Sequence, residues 1–420
     1  MNSGSAATGS ARAVERAPTL AATRPLRVAQ VVTKLAAGAG GITLRGALAL
    51  DPERYETTIF AGEGDALLDR AEQAGLRVVR LRHMAPSRGI DPFVDVRGFR
   101  ELAAHLAAGE FDIVHTHSAK AGGLGRLAAH RVGVRAVVHT FHGFPFHEFQ
   151  PVPVRSALVA IERRLARITD YFLTDGTMVA AEAVRLKLAP PDRIRAIASP
   201  IDDGLPVVSP ESRARARSLL GLPETAKVVG TAARLQTQKS PLDMVKAIVR
   251  LARPDVYMVW IGDGELRSAT ERLAARNGIR DRFLLLGNRT DVGDLLPGFD
   301  VFAMSSLFEG LPCAVVEAMA CGIPVVATAV NSVPEIVVPG RTGLVARPGD
   351  PASLSRALAY VLDHPDEAAR LAAAAREHIG DRFSAEALGR DLGEVYELAL
   401  GHIAASSAAA ANGRVNGRRR

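Results

Sequence analysis

Residues 305–328 read SSLFEGLPCAVVEAMACGIPVVAT, and their glycines and prolines set the local fold. Gly310 and Pro312 fix a turn that carries Glu309, and proline suits a first helical position, so a helix is expected from Pro312. Glu317 falls in its second turn beside Val316, Met319 and Ala320, whose apolar character marks a buried face. Gly322 and Pro324 end the helix and feed a buried strand. A carboxylate at a loop tip and another inside the adjoining helix can both face a ligand over the helix start. There Gly310, Leu311 and the amides that follow offer free N–H groups and a positive dipole to a phosphate. The competing reading makes Glu309 an exposed turn residue and Glu317 part of a solvated face, and the apolar neighbours weigh against it.

Outward from this unit, apolar runs alternate with helical patterns along the body, the signature of βα units and parallel sheets. Strands are expected at 26–32, 56–60, 77–81, 113–117, 136–141 and 171–174, with a helix over 43–50. A second series begins near Lys227 with KVVGTAARL and continues through VYMVWIG, RFLLLG, VFAMSS, PVVAT and GLVA. The Pro-, Gly- and Asp-rich segment SPIDDGLPVVSP lies between the two series. The expected organisation is α/β: a tail over 1–24, doubly wound Rossmann-like domains over 25–205 and 206–383, a helix over 384–403 that packs back on the first domain, and a basic tail over 404–420. In paired doubly wound domains the carboxyl ends of both sheets face one cleft, so the site is expected between them.

The Glu309-x7-Glu317 spacing within EGLP…EAMACGIPVVAT resembles the retaining glycosyltransferases of family 4, which have the GT-B fold. The resemblance implies that Glu309 holds hydroxyls of the donor sugar and that Glu317 accepts from the ribose hydroxyls of the nucleotide. Residues 230–241, GTAARLQTQKSP, place Arg234 and Lys239 just past the first strand of the second domain. Two cations there suit a diphosphate, arginine as a planar fork and lysine as a point charge; the bland alternative is a solvated loop. The stretch is similar to the family's Arg-Leu-x-x-x-Lys phosphate element, with Ala233 and Ser240 where glycines are common. By the same resemblance, backbone around Asn288 and Arg289 reads the base, although glycines there are also ordinary βα turns.

In the first domain, Gly38-Ala39-Gly40-Gly41 invites a dinucleotide reading. Thr43 occupies the third glycine position and no acidic residue ends the next strand, which disfavours a dehydrogenase. The loop looks like the family's Gly-Gly turn, with Gly40 and Gly41 against donor phosphate or acceptor. His142 matches the family's Thr-x-His-Gly position, implying hydrogen bonds to the donor sugar or reacting phosphate. His115 and His117 share a strand face; with His139 they read as strand histidines satisfied by backbone or water, and a zinc site is disfavoured for want of a carboxylate partner. Cys313 and Cys321 read as small packed thiols.

The chain has 420 residues and a formal net charge of +7. Arg12, Arg16 and Arg24 against Glu15 make the first tail +2, and Arg414 and Arg418–Arg420 make the last tail +4, leaving the body at +1. No nucleic-acid partner is therefore indicated. Residues 120–167 are the exception, with eight cations against Glu148 and Glu162. Arg155, Arg163, Arg164 and Arg167 beside Ala157, Leu158, Ile161, Leu165 and Ile168 read as a basic amphipathic helix next to Phe144, Phe146 and Phe149. Anionic lipid or a lipid diphosphate suits that face; a core helix with a solvated basic side is the competing reading. Two cysteines and no apolar span fit a cytoplasmic protein, peripheral at most on the inner membrane face.

The family resemblance implies retaining transfer of a sugar from a nucleotide diphosphate, with UDP the first expectation, to an acceptor hydroxyl, and Arg234, Lys239 and the helix amides after Gly310 would serve it without a metal. No cofactor is expected. HTHSAKAGGLGRLAA…HTFHGFPFHE looks like members that extend polyprenyl-diphosphate-linked glycans. The alternatives are a nucleotide-sugar epimerase of the same fold, a phosphorylase, for which no pyridoxal-phosphate lysine pattern is evident, and a non-catalytic sugar-nucleotide-binding scaffold.

Overall fold

The computed structural model describes residues 24–36, 38–84, 91–146, 150–201, 204–223 and 225–417. His147, Glu148, Phe149, Arg418–Arg420 and all of the first tail but Arg24 lie outside them. The first sheet holds β1 (Leu26–Leu35), β2 (Tyr55–Gly64), β3 (Arg77–Arg80), β4 (Ile113–His117), β5 (Ala136–Phe141), β6 (Tyr171–Thr174) and β7 (Ile194–Ala196). Its helices are α1 (Ala39–Ala49), α2 (Ala66–Gln73), α3 (Pro92–Gly109), α4 (Ala119–Val132), α5 (Val152–Leu165) and α6 (Thr177–Arg185). After α7 (Pro210–Leu220) comes the second sheet: β8 (Lys227–Ala232), β9 (Val256–Ile261), β10 (Phe283–Gly287), β11 (Val301–Met304), β12 (Val325–Thr328) and β13 (Leu344–Ala346). Its helices are α8 (Pro241–Leu251), α9 (Arg267–Arg276), α10 (Val292–Leu295), α11 (Cys313–Cys321), α12 (Val333–Ile336), α13 (Pro351–Asp363) and α14 (Pro365–Ile379), and α15 (Ala385–Gly417) closes the chain.

Both sheets are parallel throughout, in the orders β3-β2-β1-β4-β5-β6-β7 and β10-β9-β8-β11-β12-β13. Parallel strands need buried faces on both sides. The apolar runs meet that need: VFAM of β11 and VVAT of β12 are buried at every residue. In each sheet the strand order reverses once, between β1 and β4 and between β8 and β11. Those switch points are where the carboxyl ends leave a crevice. The residues after β1 and β4 are Gly38–Gly41 and Ser118; those after β8 and β11 are Arg234–Lys239 and Ser305–Gly310.

Several boundaries differ from the sequence reading. Helix α1 starts at Ala39, so Gly40 and Gly41 belong to its first turn. A Cβ on Gly40 would sit 2.6 Å from the Lys34 carbonyl oxygen, so this glycine answers the approach of α1 to β1. Helix α11 starts at Cys313, with Pro312 as an extended N-cap. The last helix does not stop at 403, and no loose tail begins at 404: the backbone is helical to Gly417. The alanine-rich run 404–411 has the highest helix propensity and extends a helix already nucleated.

Helix α15 leaves the second domain and packs on the first. Leu388, Leu392, Val395, Tyr396 and Ala399 join Val28, Ile113, Val138, Tyr171 and Leu173 in one buried cluster. Their spacing of three and four residues keeps that stripe on one face. Tyr396 is fully buried.

Candidate active site

The loop after β8 and the loop after β11 are tied together. Ser305 Oγ donates to the Lys239 carbonyl at 2.8 Å, and Leu307 N to the Gln238 carbonyl at 2.8 Å. Within this frame Lys239 Nζ forms an ion pair with Glu309 Oε1. Ser306 Oγ also donates to that carboxylate at 2.6 Å, and Gln238 Nε2 to its other oxygen at 3.3 Å. Glu309 is 8% exposed, so it is no exposed loop tip. Its depth is compensated by the lysine and two donors, as a buried carboxylate requires. The sequence assigned Glu309 to the sugar and Lys239 to the diphosphate; the structure joins them in one pair.

Arg234 lies in the same loop, exposed, with no side-chain hydrogen bond or ion pair among the described residues. Gly310 and Leu311 are buried at the entrance to α11, whose first turn has neither a side-chain cap nor an acidic residue. Glu317 is half-buried one turn after Cys313 on the same face. Burial lifts the Cys313 thiol to about 11 and that of Cys321 to about 12, so both are protonated and packed. Asn288 and Arg289 are exposed at the end of β10, the edge strand, and the Arg289 guanidinium is held by Asp291 at 2.7 Å. Among the described residues no hydrogen bond or ion pair joins either side chain to Glu309.

The first domain closes the other side. A Cβ on Gly310 would approach the His142 carbonyl oxygen to 2.9 Å and Asp175 Oδ2 to 3.3 Å, so glycine allows the two domains to touch. His142 Nδ1 lies 3.2 Å from both Asp175 oxygens, and Nε2 lies 3.0 Å from His117 Nδ1. Both ring nitrogens are thus engaged within the protein. Sequence reasoning missed Asp175 and Arg45. Arg45, one turn after Gly41 on α1, reaches across to Cys313 Sγ at 3.9 Å. For Asp175 the available signal was its place just past a strand, in FLTDG.

The histidines have side-chain partners, and His139 also has a hydrogen bond with the Thr116 backbone. His115 contacts Tyr396 and Thr140, His117 contacts Gln30 and His142, and His139 Nδ1 lies 2.9 Å from Thr116 Oγ1. Burial lowers His115 to about 3 and drives His117 and His139 well below the ordinary range, so all three are neutral. Among the described residues no group of three or more His, Cys, Asp or Glu could hold a metal ion.

The basic segment is less basic at its surface than its composition indicated. Arg126 is fully buried and paired with Glu162 at 2.8 Å; Lys120 pairs with Asp95 and Arg135 with Asp112. Phe144 and Phe146 stack 5.0 Å apart and pack on the core. On α5 the buried face runs through Val159, Glu162 and Leu165, leaving Val152 75%, Val154 49% and Ile161 46% exposed. No helix among the described residues is long and apolar enough to cross a membrane.

Two Rossmann-like parallel sheets, with Arg234, Lys239 and Glu309 at the switch point of the second, form the GT-B fold. Residues 37–205 match the family described as Glycosyltransferase Family 4, and residues 212–378 match Glycosyl transferases group 1. The chain belongs to the family 4 glycosyltransferases. It is similar to a D-inositol 3-phosphate glycosyltransferase of Streptomyces scabiei, 32% identical over 72% of this chain and 71% of that one. It is also similar to the UDP-Gal:alpha-D-GlcNAc-diphosphoundecaprenol alpha-1,3-galactosyltransferase of Escherichia coli, 28% identical over 80% and 88%. Among solved structures, Anabaena HepE in complex with UDP and glucose superposes with a TM-score of 0.77 at 19% identity, over 89% of this chain and 99% of that one. WaaG, a glycosyltransferase involved in lipopolysaccharide biosynthesis, gives 0.72 at 16%, over 88% and 99%.

Proposed function

We propose that this protein transfers a sugar from a UDP-sugar to a hydroxyl of a polyprenyl-diphosphate-linked glycan, with retention of configuration and without metal or cofactor, on the cytoplasmic side of the membrane. The observation that carries the reading is the Lys239–Glu309 pair, set beside exposed Arg234 and facing His142 across Gly310. An arriving diphosphate competes with Glu309 for Lys239, and the carboxylate so released turns to the sugar hydroxyls. Arg234, Lys239 and the uncapped start of α11 meet the charge that develops on the leaving diphosphate. Glu317 takes the ribose hydroxyls, backbone at Asn288 and Arg289 the base, and the Gly40–Gly41 turn the phosphate or acceptor side. The acceptor hydroxyl attacks from the face the diphosphate leaves, and the departing phosphate takes its proton.

The E. coli relative's named acceptor, a diphosphoundecaprenol-linked GlcNAc, supports the lipid-linked class. The test incubates the protein with a panel of UDP- and GDP-sugars and lipid-linked acceptors, with and without EDTA, and assigns the product anomer by NMR. Transfer from a UDP-sugar, unaffected by EDTA and giving the donor's anomer, is the expected result. An inverted anomer, EDTA sensitivity, or donor conversion without acceptor would each remove the corresponding part.

The lipid acceptor has to be met at a bilayer. Val152, Val154 and Ile161 stand exposed beside Arg155, Arg164 and Arg167 on and just after α5, a face suited to anionic headgroups. Each cation there contributes about 1 kcal/mol, so attachment is reversible and salt-sensitive. Cosedimentation with anionic liposomes is expected to fall with salt and with Arg155, Arg164 and Arg167 changed to Glu. Equal recovery with neutral and anionic liposomes at low salt would reduce the face to solvated surface.

A further inference from the structure

A continuous line of buried hydrogen bonds joins His142 to the helix that ends the chain. His142 Nε2 is 3.0 Å from His117 Nδ1, and His117 Nε2 is 2.7 Å from Gln30 Oε1. Gln30 Nε2 donates to the Tyr396 hydroxyl at 2.9 Å. That hydroxyl lies 2.9 Å from His115 Nδ1, and His115 Nε2 lies 2.7 Å from Thr140 Oγ1. Gln30, His115, His117 and Tyr396 are each no more than 4% exposed.

The chemistry of these groups gives the line a direction. His115 and His117 are neutral, so each has one N–H and one lone pair. The Gln30 oxygen can only accept, so His117 donates to it from Nε2 and has a lone pair at Nδ1. The N–H facing that lone pair belongs to His142 Nε2. At the other end Gln30 donates to Tyr396, Tyr396 to His115 Nδ1, and His115 to Thr140. Every bond points away from His142, and reversing the Gln30 amide would reverse them all. Phenylalanine would fill the Tyr396 site equally well; a buried hydroxyl is costly unless it is bonded, and here it both accepts and donates.

We propose that Tyr396 is a positioning residue of the transfer site: through Gln30 and His117 it holds a proton on His142 Nε2 and fixes the ring between His117 and Asp175. This rests on the reading that His142 lines that site. The ring then cannot turn as the donor enters, and the backbone at His142 stays against Gly310. The last helix is thereby part of the active site, although it belongs to neither side of the cleft by sequence.

The test measures imidazole nitrogen shifts of the ligand-free full chain by long-range 15N–1H NMR, and UDP release from the UDP-sugar panel. The wild type should show a protonated Nε2 on both His142 and His117. Tyr396→Phe and Gln30→Met should each move the His142 nitrogens and lower kcat about tenfold, with donor KM within about twofold. Thr140→Val, beyond Tyr396, should do neither. On a His142→Ala background, Tyr396→Phe should add no further loss. A bare His142 Nε2 in the wild type, an unmoved His142 in both variants, an equal effect of Thr140→Val, or additive losses would each overturn the proposal. Full kcat in His142→Ala would instead overturn the reading of His142, leaving the NMR arm to decide the line itself.

Discussion

Arg234 and Lys239 serve the same proposed anion in different structural circumstances, and their substitutions separate accordingly. Arg234 is exposed and carries no bond that folding depends on, so Arg234→Ala should leave Tm unchanged. It should still lower kcat/KM by about 10²–10³, the effect of losing one donor to a developing anion. Lys239→Met should also leave Glu309 buried without its cation. Breaking such a pair costs about 3 kcal/mol, reduced here by the Ser306 and Gln238 donors, so a lower midpoint in urea should accompany the loss of turnover. Two variants with equal midpoints would contradict the pairing. At this scale the sequence singled out Glu309 and Lys239, which the structure pairs, because each lies close to a turn glycine or proline, and Arg234 and Glu317 through the family's spacing. Asp175, Arg45 and the partners of His117 stayed hidden, because their contacts join strands and helices far apart along the chain.

The elements meet across the cleft through a carboxylate. Glu335, in α12, accepts from Thr177 N at 3.0 Å and Met178 N at 2.8 Å, capping the start of α6 in the other domain. Burial alone would raise this carboxyl, but those amides outweigh it and hold it below its usual range. A carboxyl lowered by folding contributes stability above its unfolded value near 4.3, and that contribution is lost as pH falls through the lower folded value. Glu335→Gln should therefore lower Tm at pH 7, by progressively less as pH falls below the unfolded value; a drop that does not shrink as the solution is acidified would exclude a charge effect. Helix α15 is held against α1 by a second close approach. A Cβ on Gly389 would come within 2.1 Å of the Ala49 carbonyl oxygen, so Gly389→Ala should destabilise by about 1–3 kcal/mol, read from a urea titration. The strands over 113–117, 136–141 and 171–174 were legible to the residue because β-branched and aromatic residues fill them between polar turns. The edge strand Ile194–Ala196 was not, since three residues with an arginine at the centre show no period.

At the scale of the whole molecule, alternation of strand and helix disclosed the two parallel sheets, and the candidate site was sought where such sheets end. Charge was harder to read from composition. Arg126, Lys120, Arg135 and even Arg24 turn out to be paired, the last with Asp112 at 2.9 Å, and only contact between distant segments decides which cations face solvent. The packing of α15 on the first sheet also bears on how the protein is made. The first domain leaves the ribosome without the stripe from Leu388 to Ala399 that covers its sheet. At about 5–20 residues per second, the stretch from Ala196 to Leu388 takes roughly 10–40 s to synthesise, and through that interval an apolar surface stands open. Stalled chains released at residue 384 should be captured by chaperones and cut rapidly by protease, whereas full-length chains should resist both. The first domain thus depends on residues 388–399 for the cover of its sheet, so chain beyond the second domain must be made before that half of the cleft is complete.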